Sequence, residues 1–466
     1  MTKGDASPAE SASRWPLLLL LSCGLCWLVV EGAVSLIASI QVQNPAFMAA
    51  WPVFTYGRMA EATETTFVYG WLANTGLALT LWVLGRLAGE PLRGRNWAIG
   101  GAIFWNLAVA GALAGVALGG ATGFELLGLP GYVQSILFFS YAAIAVPGLV
   151  AWSGRLRGTS FASHWYSAAA LFLFPWVLST AHVMLFYAPG RGVLQPIVAA
   201  WYAQSAWSLW LAPMALSVAY YVVPKVTRRV LPSYRFAPLG FWCLILVGGL
   251  TGGRHLLGGP VPVWISSVAV VSCTFLLFHV FVVLLNLRGS YAVPGIAAKF
   301  IAFGLACYAV GALSDALTSF RGIALHTQFT YLGEAQKLLA LCGAASGLLF
   351  GGFYFAVPRI TGRGWSSGNL VRAHLFLFVA GILLLVGSLC TAAAVQSRGL
   401  LDASVPFATI TRKTHLPLVC AAAAQALIFL GSIAFLVNFL RTTCWIPRVS
   451  APASPEKVPA AESRSP

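Results

Sequence analysis

Between His326 and Gly351 the chain reads HTQFTYLGEAQKLLALCGAASGLLFG, a membrane-length apolar run from Tyr331 onward that carries Glu334, Gln336 and Lys337 near its start. Ionisable side chains inside a span are costly and are kept where they pair, bind or conduct. Glu334 and Lys337 stand three apart on one helical face, so the simplest expectation is a local ion pair near the span end. Glu61 and Glu64, just before the second apolar run, Gln204 in the sixth, and Arg254 and His255 at the end of the seventh fall at a similar depth. The two readings of that shared depth are polar helix ends and a buried polar centre able to hold a cofactor. His182, His255, His326 and His415 also fall towards the same membrane face, where a hydrogen-bonded interfacial histidine is the simplest reading. Asp315 is a further intramembrane acid, with either a proton-related role or a nearby donor as packing partner.

No other chemistry has a signature here. The chain lacks a phosphate-binding Gly-rich loop with Lys and Ser or Thr, an HExxH and a CxxCH. Cys23 and Cys26 form a CxxC with no second pair and no adjacent His, and the nine Cys fall almost entirely in apolar runs, where they pack as small apolar residues.

The 466 residues are 59% hydrophobic and only 9% charged, with 47 Gly and 17 Trp; the mean hydropathy is +0.82. Such a chain lives in the lipid bilayer. Its net charge of +16 is scattered over short loops, which excludes a nucleic-acid partner and suits the positive-inside rule. Apolar runs at about 15–40, 66–88, 97–119, 131–152, 166–187, 197–223, 236–256, 262–287, 298–318, 331–357, 371–395 and 415–440 predict an all-α integral membrane fold of twelve helices. The loops after the even-numbered runs hold most Lys and Arg, including Arg86, Arg93, Lys225, Arg228, Arg288 and Arg359, which places them and both termini in the cytoplasm. The expected division is a cytoplasmic tail over 1–14, a membrane domain over 15–440 and a disordered cytoplasmic tail over 441–466. Gly111, Gly115 and Gly119, like Gly343, Gly347 and Gly351, are spaced by four and predict two helix-packing seams. No internal repeat is evident.

Several strings, in their order and spacing, narrow the class. WYAQSAWSLWLAPMALSVAYYVVPK at Trp201–Lys225, SYR at Ser233–Arg235 and GGRHLLGGPVPVW at Gly252–Trp264 resemble the catalytic subunit of cbb3-type cytochrome c oxidases, of the haem-copper oxidase superfamily. TYGR at Thr55–Arg58, Asn74, YFAVPRITGR at Tyr354–Arg363 and the opening HTQFTYLGEAQ extend the resemblance over roughly 55–440. It implies the haem-copper oxidase subunit I fold, a bacterial inner (cytoplasmic) membrane location, and partners among respiratory-chain subunits such as cytochrome c-type proteins.

The resemblance also implies a haem b, a high-spin haem and a copper, and here the chain departs from the family. The positions that correspond to haem ligands hold Thr63, Glu334 (high-spin haem) and Gln336 (low-spin haem). Those for copper hold Gln204, Arg254 and His255, and the cross-linked Tyr falls on Gly248. Thr and Gln supply no equivalent of an imidazole bond, and Arg, always protonated, presents only donors. The expectation is therefore no haem and no copper, with an Arg254–Glu334 ion pair, joined by Lys337 and Gln204, filling the vacated space. Three functions compete: a non-catalytic membrane subunit or scaffold in respiratory electron transfer, a terminal oxidase using relocated ligands, with His182, His255, His326 and His415 as the alternative metal or haem ligands, and an ion or small-molecule transporter using the charges around Glu334.

Overall fold

The computed structural model describes residues 8–89, 92–154 and 160–444, and among them every regular element is helical. Twelve helices are long and apolar enough to cross a membrane: α1 (Arg14–Gln41), α2 (Tyr56–Ala88), α3 (Arg95–Ala117), α4 (Gly131–Ser153), α5 (Ala162–Tyr187), α6 (Leu194–Thr227), α7 (Tyr234–Leu256), α8 (Val263–Ala292), α9 (Ile296–Ser319), α10 (Leu332–Thr361), α11 (Gly368–Leu400) and α12 (Phe407–Thr443). In lipid each backbone group must be satisfied within its own segment, so apolar runs of this length fold as helices. Pro130, Pro262 and Pro406 start α4, α8 and α12, and the left-handed Gly89 and Gly362 (φ 71° and 70°) stop α2 and α10.

The predicted helix count holds, and several boundaries shift. α2 begins at Tyr56 and α12 at Phe407, earlier than hydropathy places them. Glu61 and Glu64, or Arg412 and Lys413, lower the hydropathy of those turns without interrupting the backbone ladder. Helix also begins at Pro8, inside the segment read as a tail, and continues to Thr443. The proposed disordered tail lies, from 445 on, outside the described residues, as do the first seven residues.

Neighbouring spans pack in sequence and α1 meets α12, while α2, α6 and α10 touch one another inside the ring. The most apolar windows of these three are 100, 94 and 89% buried, against at most 50% for the other nine. Each of the three also carries a π-helical stretch, at Thr66–Leu72, Ala206–Leu211 and Leu339–Ala345. A buried, π-bulged helix at every fourth span is a structural repeat that the residue pattern does not reveal. The carbonyls loosened by the wider turns find other donors. Asn74 Nδ2 bonds Gly70 O (2.7 Å), Trp105 Nε1 bonds Tyr69 O (2.9 Å), and Ser346 Oγ bonds Leu341 O (3.3 Å).

One of the two glycine seams forms. Gly343, Gly347 and Gly351 lie along α9 against Cys307, Gly304 and Ile301, and a Cβ on Gly347 would stand 2.9 Å from Gly304 Cα. On α3, Gly111 faces open space and Gly119, at φ 92°, follows the helix end, so only Gly115 packs closely, on Pro130 and Tyr132.

Candidate functional site on two faces of α10

Side chains two residues apart on an α-helix point roughly 200° away from each other. Glu334 and Gln336 accordingly face different sides of α10, and each side holds its own polar centre.

The first centre lies among α6, α7 and α9. α7 ends in a 3₁₀ stretch, Gly248–Leu256, whose glycines let its backbone approach its neighbours. A side chain at Gly252 would collide with the Ala200 carbonyl, and one at Gly253 with Ile265. This close approach brings Arg254 beside Gln204. Arg254 Nη1 donates to Gln204 Oε1 at 3.2 Å, and Nη2 pairs with Asp315 Oδ1 at 3.1 Å. The guanidinium side chain is 9% exposed, so its charge is matched by a carboxylate rather than by water. A cavity of about 40 Å³ lies beneath the pair, bounded by Thr251, Cys273 and Tyr308. Gln336 Nε2 clamps α10 to α9 through Ser314 Oγ (2.8 Å) and Thr318 Oγ1 (3.0 Å). A side chain at Gly248 would strike Ser208, its Cβ 2.7 Å from that of Ser208.

The second centre lies on the other side of α10. Lys337 Nζ is 3.0 Å from Glu334 Oε2, 3.4 Å from Glu64 Oε2 and 3.9 Å from Glu125 Oε1. Glu64 is fixed by its other oxygen, Oε1, which accepts the Leu126 amide of the loop before α4. A cavity of about 420 Å³ opens beside this cluster between α1, α2, α10, α11 and α12. Glu31, Glu61, Thr63, Glu64, Glu334 and Lys337 all reach it.

Two readings of the sequence change here. Glu334 does not pair with Arg254: the pair it makes is the local one with Lys337, and Arg254 takes Asp315, as a packing partner for that acid allows. The helix sends Glu334 to the face opposite α7, which is the physical reason. The partition of positions is also reversed. Thr63 shares its cavity with Glu334, while Gln336 lines a cavity with Gln204, Arg254 and His255, and Lys337 reaches both.

Thr63 Oγ1 is taken up by its own helix, donating to Met59 O at 2.8 Å. His182 Nδ1 bonds Gln134 Oε1 at 2.9 Å, whereas His255, His326 and His415 are exposed. Among the described residues no three His, Cys, Asp or Glu stand close enough together to hold a metal ion. Sequence reasoning missed Glu31 and Glu125. An acid near the middle of the α1 apolar run was the available signal for the first, and Glu125, in a loop, offered none.

The residues of the strings quoted above serve the scaffold. Arg58 Nη1 donates to Ala117 O at the end of α3 (3.0 Å), Tyr234 Oη accepts the Ala162 amide at the start of α5 (2.7 Å), and Tyr354 Oη meets His374 Nδ1 (2.9 Å).

Comparison with known proteins agrees with this architecture. The model of the family described as Cytochrome C and Quinol oxidase polypeptide I matches residues 16–415. The chain is 23% identical over 383 residues to a cytochrome c oxidase subunit 1 of Rhodobacter capsulatus, covering 77% of this chain and 71% of the relative. It is also 23% identical over 363 residues to a cbb3-type cytochrome c oxidase subunit of Stutzerimonas stutzeri, covering 72% and 75%. A solved heme-copper terminal oxidase dimer superposes with a TM-score of 0.70 at 11% identity, over 95% of this chain and 84% of that one.

Proposed function

Because the chain belongs to the cytochrome c and quinol oxidase polypeptide I family, we propose that it is a divergent, non-catalytic member: a membrane subunit or scaffold of a respiratory electron-transfer assembly, without haem or copper. The observation that carries this reading is Arg254. At a position that corresponds to a copper ligand stands a guanidinium held by Asp315 and Gln204. It cannot deprotonate, offers no lone pair and repels a cation. The haem positions fit no better, since Thr63 is bonded to its own helix, Glu334 to Lys337 and Gln336 to α9. No step of oxygen reduction can be built on this donor set, and relocation to His182, His255, His326 and His415 gains no support from their placement. Cytochrome c-type proteins are the proposed partners, and the proposed setting is a bacterial inner membrane with both termini in the cytoplasm.

Oxygen uptake tests the reading. The purified chain, supplied with ascorbate and an artificial electron donor, is expected to consume no oxygen under conditions where a cbb3-type oxidase does. Cyanide-sensitive uptake at the rate of such an oxidase would overturn it. The cavity beside Lys337 favours a second reading, a transporter, in which the charged cluster lies on a pathway; flux into liposomes separates the two.

A further inference from the structure

We propose that the cavity between α1, α2, α10, α11 and α12 is a binding site for an organic cation, an amine or onium group carried on an apolar body. This rests on the haem-free reading, because a haem between α2 and α10 would contend for the same space.

The cavity is built for opposite ends of such a molecule. Its wall includes four carboxylates, Glu31, Glu61, Glu64 and Glu334, and one ammonium, Lys337. Lys337 is already divided among Glu334, Glu64 and Glu125. Among the described residues Glu31 has no cation: it is 5% exposed, faces the cavity and has the Ser35 hydroxyl as its hydrogen-bonding neighbour. It lies about 15 Å inside the end of α1 at Gln41, well within the apolar layer. Glu61, which also lines the cavity, has its Oε2 buried against Gly128 of the loop before α4, with no hydrogen-bond partner among the described residues. A carboxyl group at the depth of Glu31 is either protonated or met by a positive charge.

The remaining wall is apolar, with Leu338, Leu341, Leu385, Leu389, Leu418 and Ala421 contributed by α10, α11 and α12. A volume of about 420 Å³ suits a small organic molecule. A bare metal ion suits it less, since among the described residues no three candidate ligands converge. Carboxylates spread over an apolar chamber match a cation whose charge is diffuse and whose body needs no water.

Equilibrium dialysis of the purified full chain in nanodiscs, with tetraphenylphosphonium and tetraphenylborate as probes, tests this. The two ions have the same shape and opposite charge. The phosphonium is expected to bind saturably, one per chain, above the level of empty nanodiscs, and the borate is not. Glu31→Gln and Glu61→Gln should each weaken phosphonium binding at least tenfold, and Asp402→Asn, on the exposed loop between α11 and α12 and away from the cavity, should leave it unchanged. Size-exclusion and melting profiles identify a variant that misfolds, in which case the other variant and the borate comparison decide. Equal binding of both ions, or binding indifferent to both substitutions, overturns the proposal. A haem spectrum of the same sample keeps the two failures apart: a colourless protein that ignores phosphonium sinks this inference alone, and a haem-loaded one sinks the haem-free reading as well.

Discussion

Arg254 illustrates how a charge is tolerated inside a bilayer. Its guanidinium forms an ion pair with Asp315 and donates a hydrogen bond to Gln204, and its side chain is 9% exposed. Removing one member of a buried pair leaves the other charged and alone, which costs roughly 3–5 kcal/mol, whereas removing both costs much less. Arg254→Ala should therefore melt well below the parent protein in nanodiscs, and Arg254→Ala with Asp315→Ala should recover much of the loss. Glu334→Gln should leave the Arg254 centre intact, because Glu334 answers to Lys337. Additive losses in the Arg254 and Asp315 cycle would show that the pair is not coupled. The polar inventory was legible in the sequence, since Glu334, Lys337, Arg254, Gln204 and Asp315 each interrupt an apolar run. The pairing was not: it depends on which face of α10 looks towards α7, and helical spacing gives relative angles within one helix but no orientation towards its neighbours.

At the scale of elements, α2, α6 and α10 are distinguished by burial, and each carries a π-helical turn whose freed carbonyls depend on particular side chains. Asn74 is the clearest case, its amide donating to Gly70 O at 2.7 Å while its oxygen accepts from Asn106 at 2.9 Å. Asn74→Ala leaves those groups in apolar surroundings and should destabilise by about 1–3 kcal/mol, read as a lower melting temperature. Gly347→Leu should be worse, because α9 and α10 meet there backbone to backbone and overpacking of that kind costs about 1–3 kcal/mol or more. An unchanged melt for Gly347→Leu would mean that the seam is loose. The α10 glycine spacing announced this contact, and the same spacing on α3 did not, because Gly119 falls past the end of its helix. The π turns left no trace in the residue pattern, and a further one at Val183–Tyr187 ends the less buried α5, so burial alone does not account for them.

For the whole molecule, twelve helices enclose two polar centres on opposite faces of α10, and the resemblance strings Thr55–Arg58, Ser233–Arg235 and Tyr354–Arg363 include residues that cap, brace and join helices. Helix count and fold were legible because bilayer length fixes the period of apolar runs. The proposed loss of ligand chemistry rests on residue types alone, because Thr63, Gln204 and Arg254 offer no imidazole whatever their geometry. The large cavity and Glu31's place in it were not, because they require five helices to be brought together. The excess of Lys and Arg after even-numbered spans predicts a cytoplasmic C-terminus, so a green fluorescent protein fused there should fluoresce; alkaline phosphatase activity from the same fusion point would reverse the topology. The account's central claim is that the oxidase fold remains here without its metal chemistry. It is tested most directly by the oxidised and dithionite-reduced visible spectrum of the purified chain, with haem extraction and copper analysis on the same sample. The account predicts a colourless, copper-free protein, and sharp reduced haem bands at one or more haems per chain would contradict it.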